Sequence, residues 1–167
     1  MFEDSVHLVK GGRALRMEPT FRPATEGDLE TLADFLRRFY AEDQTFPLQE
    51  KVARAALRDI LTTASLGRVW MIQDGARPIG YLVLTFGYSL EYHGRDSFID
   101  EFYIQESHRG RGIGAAAMRF LESACRELGV HAVHLEVERS NTAAQGLYRK
   151  FGFEDHDRYL MTRWISK

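Results

Sequence analysis

A chain of 167 residues with 44% hydrophobic content is long enough to close one well-packed core and too short to call for two domains. Lys and Arg number 22 against 24 Asp and Glu, a formal charge of −2, so no global field recruits nucleic acid or an anionic membrane; charge-based function has to be local. No apolar run approaches the ~20 residues of a membrane span and no signal-like segment opens the sequence, so the expected location is cytoplasmic, with no membrane partner.

Residues 1–16 show no sustained period and contain Gly11 and Gly12. They read as a flexible leader, an over-extended start before Met17, or a partner-binding arm, and the expected domain is 17–167. A short strand TFRPA precedes TEGDLETLADFLRRFYAED. There Thr25 and Asp28 form a capping box for a helix with Leu29, Leu32, Phe35, Leu36 and Phe39 on one side. After a loop with Phe46 and Pro47, a second helix is expected from about Leu48 to Leu61, with Val52, Ala55, Ala56 and Ile60 inward. RVWMIQ, the turn DGAR and PIGYLVLTFGYS form an antiparallel hairpin marked by Asp74 and Gly75. The strand SFIDEFYIQ, a glycine segment, a helix from about Gly112 to Leu128 and the strand HAVHLEVE come next. A helix from about Thr142 to Phe151 and a last strand within DRYLMTRWI complete a mixed α/β domain. The single cysteine, Cys125, sits in a helical pattern beside Leu121, Ala124 and Leu128 and reads as a packed thiol; no metal site is expected.

The glycine segment carries the first chemical signal. A strand that ends in glycines and feeds a helix aims several N–H groups, backed by the helix dipole, at one spot, which makes an anion site. Gly110, Gly112 and Gly114 admit a ligand to the backbone, Ile113 lies between them, and Arg109 and Arg111 add charged donors. A P-loop is excluded because no Lys-Ser or Lys-Thr follows. GRGIGA also satisfies a relaxed dinucleotide fingerprint, with Glu136 or Glu138 at the end of the next strand, but only one more helix and strand remain after Glu138. The third reading is an ordinary tight turn, which leaves the paired arginines unexplained.

The segment RGRGIG, Arg109 to Gly114, resembles the acyl-coenzyme A signature [RQ]-x-x-G-x-[GA] of the GNAT superfamily of N-acetyltransferases. The later NTAAQGLYRKFGF is similar to that family's asparagine-led helix ending in Tyr-x-x-x-Gly-Phe, here Asn141, Tyr148, Gly152 and Phe153. The likeness covers roughly Thr20 to Ile165. It implies a GNAT-type fold, a mixed central sheet flanked by helices, with strands splayed at the acyl-CoA site. Acetyl-CoA is the implied co-substrate. Its pantetheine arm is expected on the backbone of Phe102, Tyr103 and Ile104, its diphosphate on the N–H groups of Arg109, Gly110, Arg111, Gly112, Ile113 and Gly114. Asn141 is expected to bond the cofactor arm or cap its own helix.

Acetyl transfer needs an acid for the departing thiolate, and a phenol with a pKa of about 10 suits it, so Tyr148 is the candidate. The amine arrives protonated and needs a carboxylate. The segment FIDEFYI resembles the Glu-Asp-Phe-Phe type sequence of diamine and polyamine acetyltransferases, which places Asp100 and Glu101 on that family's acidic positions. Strand alternation admits one of the two to the site, and register decides which, with Glu101 favoured. Glu91, Tyr92, His93, Glu42 and Asp43 are candidates for the acceptor mouth. The expected acceptor is a primary amine of a small cationic metabolite, which attacks the thioester directly in a ternary complex. A protein lysine or amino terminus, a non-catalytic acyl-CoA-binding module and a dehydrogenase are the alternatives. The last strand's edge and the aromatic-rich RYLMTRWI suggest a homodimer.

Overall fold

The computed structural model describes residues 18–42 and 47–165. Residues 1–17, Asp43 and Phe46 lie outside the described residues, and with them the expected leader and part of the loop after the first helix. The chain forms two compact units, Met1–His134 and Leu135–Lys167.

The first unit runs β1 (Thr20–Pro23), α1 (Leu29–Glu42), α2 (Glu50–Thr62), β2 (Gly67–Asp74), β3 (Arg77–Ser89), β4 (Gly94–Ile104) and α3 (Ile113–Glu127), and β5 (Ala132–Leu135) reaches its boundary. The five strands make one mixed sheet in the order β1-β2-β3-β4-β5. Neighbours from β1 to β4 are antiparallel, and β4 reaches β5 through α3, the kind of crossover that parallel neighbours need. Pro23 has no N–H to give a ladder and is accommodated on the edge strand.

Local signals explain most of these elements. Asp28 accepts from the Thr25 N–H at 2.9 Å and closes the expected capping box ahead of α1. The β2–β3 hairpin turns through Gly75 at φ +56, with Asp74 opposite Arg77. At Gly80 the strands pass so closely that an added Cβ would lie 2.2 Å from the Tyr103 carbonyl oxygen, so only glycine fits.

Alternation along the strands separates two cores. Val69, Met71, Tyr81, Val83 and Tyr103 meet Leu29, Leu32, Phe35, Leu36 and Leu57, so α1 and α2 cover one face. Ile72 and Ile79 meet Ile113 of α3, with Phe21, Phe102 and Ile104 packed against them. Phe120 of α3 stacks on Phe21 at 4.6 Å and meets Trp70 edge-on, so α3 covers the other face. Leu32 has no exposed surface, and cutting such a leucine to alanine costs about 2–5 kcal/mol.

The structure corrects three expectations. The inward face of α2 is Ala53, Leu57, Ile60 and Leu61, whereas Val52 is 62% exposed and Ala55 and Ala56 face solvent. One residue of offset rotates a helix by about 100°, and in an alanine-rich segment the neighbouring stripes look alike. The strand expected over HAVHLEVE shrinks to Ala132–Leu135. The last strand does not form among the described residues: 153–165 is irregular, with Tyr159 89% and Trp164 68% exposed. Strand hydrogen bonds come from a neighbour, and side-chain character alone does not supply one. The edge on which the dimer expectation partly rested is therefore not there.

In the second unit, α4 (Thr142–Lys150) is capped by Asn141, whose side-chain oxygen accepts from the Ala144 N–H at 3.0 Å. Among the described residues no helix is long and apolar enough to cross a membrane, and no group of three or more His, Cys, Asp or Glu could hold a metal ion. Cys125 is buried, and burial pushes its thiol up to about 11, which keeps it un-ionised at neutral pH.

Candidate active site

β4 leaves the sheet at Ile104, passes a single tight turn at Glu106–His108, and enters α3 through Gly110 at φ +72 and Gly112 at φ +83. Both angles lie in the left-handed region, and nothing lies within 4 Å of where a Cβ would be, so the backbone stands open on that side. Gly112 is the N-cap and offers no side-chain cap, while its carbonyl accepts the first helical bond, from Ala116. The first N–H groups of α3 are thus presented to a ligand with the positive end of the dipole behind them. Ile113 puts its side chain into the core and leaves only its backbone to the loop. Arg111 is exposed. Arg109 is differently committed: its Nε donates to the Ile104 carbonyl at 2.8 Å, its Nη2 to Glu42 Oε2 at 2.7 Å, and its guanidinium lies 5.6 Å from the centre of the Tyr103 ring. The signature's first side chain therefore ties the loop to the last turn of α1.

Beside this loop, β4 carries the three residues expected along the pantetheine arm. Phe102 and Ile104 pack toward α3 and Tyr103 toward α1, which leaves the backbone as the part with no side-chain duty. β5 begins opposite Arg95, whose carbonyl accepts from the His131 N–H at 2.8 Å, and is only four residues long. It is too short to accompany the eleven-residue β4 to Ile104, so the two part before the loop. Apart from the Ile104 carbonyl, which Arg109 takes, the strand edge past the end of β5 can bond an extended ligand as it would an added strand. Open glycine backbone, uncapped helix and free strand edge all fit a diphosphate carrying a long amide arm.

The acidic pair meets a break in the pleat. Val83 pairs with Glu101 and Leu84 with Ile99, so Asp100 is an extra residue on β4, a β-bulge. Simple alternation, which would have put Ile99 and Glu101 on one face, fails here. The bulge sends Glu101 to the α1 face with Tyr103 and Tyr81, and leaves Asp100 exposed. Tyr81 Oη donates to Glu101 Oε2 at 2.6 Å. Burial pushes Glu101 up to about 7. The Tyr81 bond opposes that rise, the Asp100 charge adds to it, and the Tyr40 hydroxyl of α1 again opposes it. Desolvation also raises Asp100, and burial followed by the Glu101 charge raises the Tyr81 phenol.

In the second unit the Tyr-x-x-x-Gly-Phe run has a local explanation. Gly152 at φ +83 ends α4, the Phe153 N–H bonds back to the Tyr148 carbonyl at 3.1 Å, and the Phe153 ring meets the Tyr148 ring at 5.6 Å. The motif stops the helix and braces the tyrosine. Burial raises the Tyr148 phenol above its usual value, so it is protonated at neutral pH.

Of the residues considered for an acceptor mouth, Glu42 is paired with Arg109, and Asp43 lies outside the described residues. Tyr92 packs at 4.5 Å on the His134 ring, whose Nε2 is 3.5 Å from Asp96 Oδ2, too far for a good hydrogen bond. His93 holds φ +61 in the turn before β4. Sequence reasoning did not find Tyr40, Tyr81, Asp96 or His134. The one available signal was a tyrosine inside the apolar run ILVL-like stretch IGYLVL, where a hydroxyl demands a partner.

An anion cradle on a helix start, close in sequence to a carboxylate poised near neutrality, suits group transfer from a diphosphate-bearing co-substrate. The chain matches the acetyltransferase (GNAT) family over residues 30–153 and belongs to that family. GNAT acetyltransferases use acetyl-CoA, and the protein is an acyl-CoA-dependent N-acetyltransferase. It is 27% identical over 144 residues to the thialysine N-epsilon-acetyltransferase of Bos taurus, a match covering 80% of this chain and 83% of that one. It is 33% identical over 67 residues to the uncharacterized N-acetyltransferase YycN of Bacillus subtilis (strain 168), covering 40% of this chain and 43%, less than half, of that protein. The crystal structure of an integron cassette protein from the mobile metagenome of Cole Harbour Salt Marsh is similar with a TM-score of 0.77 and 35% identity, over 88% of this chain and 91% of that one.

Proposed function

We propose that the protein acetylates the primary amine of a small cationic metabolite by direct attack in a ternary complex, with Glu101 as proton acceptor and Tyr148 as proton donor. The observation that carries this reading is Glu101 itself: a carboxylate held at 2.6 Å by Tyr81, on the strand that feeds the glycine loop, with its pKa pushed up to about 7. A base must be unprotonated at working pH and still hold a proton well, and an affinity near neutrality meets both demands. The similarity to an enzyme named for thialysine supports an amine of this type.

Bound acetyl-CoA supplies an activated thioester. Backbone groups of Phe102 to Ile104 align the arm, and the N–H groups from Arg109 to Gly114 hold the diphosphate, with Arg111 adding charge. The carboxylate of Glu101 takes a proton from the substrate ammonium, which frees the nitrogen lone pair for the carbonyl carbon, and Asp100 adds negative potential that draws in a cation. As the C–N bond forms and the C–S bond breaks, the attacking nitrogen releases its second proton to solvent, Tyr148 Oη gives its proton to the leaving sulfur, and the phenol recovers one from solvent. Asn141, already used as a helix cap, holds α4 and thereby Tyr148 in place.

A panel of diamines, amino acids with side-chain amines, and lysine peptides, assayed for release of free thiol, tests the reading. Small cationic amines are the expected substrates; turnover with peptides alone, or with uncharged acceptors alone, would overturn it. Tyr148→Phe should lower turnover about 10²–10⁴-fold with little change in acetyl-CoA affinity, because the ring stays and only the acid is lost. Full turnover in that variant would assign the proton to water.

A further inference from the structure

The surroundings of Glu101 hold more than a base needs for packing. Tyr81 has no exposed surface, and a phenylalanine would fill its place between Phe35 and Tyr103 equally well. Its hydroxyl is instead spent on Glu101 Oε2 at 2.6 Å, short for a hydrogen bond and typical of an ionised acceptor. Tyr40, in the last turn of α1, also favours the charged form of the same carboxylate. That turn is fixed in its own right, because Glu42, two residues on, is bonded to Arg109 in the glycine loop at 2.7 Å. The groups facing Glu101 are Tyr81 from β3, Tyr40 from α1, and Asp100 and Tyr103 from its own strand; β2 and α2 turn Met71, Val69 and Leu57 to the same core, none of them titratable.

We propose that Tyr81 and Tyr40 are positioning residues that clamp Glu101, Tyr81 by its direct hydrogen bond and Tyr40 from α1, leaving one defined set of carboxylate lone pairs for the acceptor ammonium. The choice of phenols matters chemically. A buried carboxylate must have donors, but an arginine or lysine would cancel its charge and remove its attraction for a cation. Two neutral donors satisfy the oxygens and leave the full negative charge to be met by the substrate. The clamp thus deepens the reading of Glu101 as proton acceptor and rests on it. It also makes the acceptor's charge part of the site.

The test compares Tyr81→Phe, Tyr40→Phe and Glu101→Gln in the full chain by two readouts. One is the carbon-13 titration of the Glu101 side-chain carboxyl, identified by its loss in Glu101→Gln. The other is the pH dependence of kcat/KM by thiol release with an amine substrate from the panel. Both phenols favour the charged form, so removing either should raise the Glu101 midpoint. The expected shift in Tyr81→Phe is roughly one pH unit upward, matched by the acidic limb of kcat/KM, with a smaller shift of the same sign in Tyr40→Phe. A purely structural role would change stability or the plateau without moving the midpoint. If both phenylalanine variants titrate as the parent does, the clamp is wrong, and Tyr40→Phe decides alone should Tyr81→Phe fail to fold. A shifted midpoint combined with full activity in Glu101→Gln would uphold the clamp and reject Glu101 as the base.

Discussion

Two carboxylates in the first unit are held by hydrogen-bond donors and respond in opposite ways. Asp28, at the corner before α1, takes both guanidinium nitrogens of Arg22 at 2.8 and 2.7 Å and the Thr25 N–H at 2.9 Å. The Arg22 bond is the largest influence and outweighs burial, holding Asp28 down to about 2. Glu101 takes the Tyr81 hydroxyl and, among the described residues, no cation is paired with it; burial dominates, and it rises to about 7. The difference is the charge of the donor. A guanidinium neutralises its carboxylate and turns it into a structural pin, whereas phenols orient the carboxylate and leave it reactive.

The largest effect expected from this contrast is kinetic. Glu101→Gln should lower kcat/KM for the amine about 10²–10⁴-fold at pH 8 and abolish an acidic limb centred near pH 7, as read from thiol release across a pH series. Asp28→Asn should leave that limb where it is.

Stability should move the other way. A carboxyl whose affinity is raised by folding favours the folded state while protonated, and that contribution is lost as pH rises from its ordinary 4.5 through about 7. Glu101→Gln should therefore be more stable than the parent at pH 8 by about 2–3 kcal/mol, with the gain fading toward pH 4.5; urea midpoints at the two pH values measure it. An unchanged difference would place the high affinity of Glu101 in doubt.

Asp28 has the opposite sign: its contribution is present above its ordinary 3.8 and lost as pH falls through about 2. With Arg22 39% exposed and partly screened, Asp28→Asn should cost about 1–2 kcal/mol at pH 7 and progressively less in acid, by the same urea measurement. Smallest of all, Thr25→Ala removes a hydroxyl donor at 3.1 Å but keeps the backbone N–H, and should cost about 0.5–1 kcal/mol by thermal melting.

What the sequence determined by itself was whatever a short stretch of chain decides with its own atoms. The Thr25–Asp28 box, the Asp74–Gly75 turn, the inward face of α1, the glycine turn before α3 and the asparagine at the start of α4 all depend on neighbours within a few residues, and the structure has them where the sequence placed them. The inward stripe of α2 was not legible, because Val52 and Ala56 compete with Ala53 and Leu57 until a sheet is there to choose between them. The strand expected near the carboxyl end failed for a related reason: Tyr159 to Ile165 have strand-forming side chains, but a strand is defined by a partner the residues themselves do not contain. At the candidate site, tertiary structure alone made the choice between Asp100 and Glu101. Their order along the chain is fixed, but which one turns to α1 follows from the bulge opposite Val83 and Leu84, and the tyrosines that hold it lie 20 and 61 positions away. Pairing register and the meeting of distant side chains are properties of the packed sheet, and no local pattern encodes them.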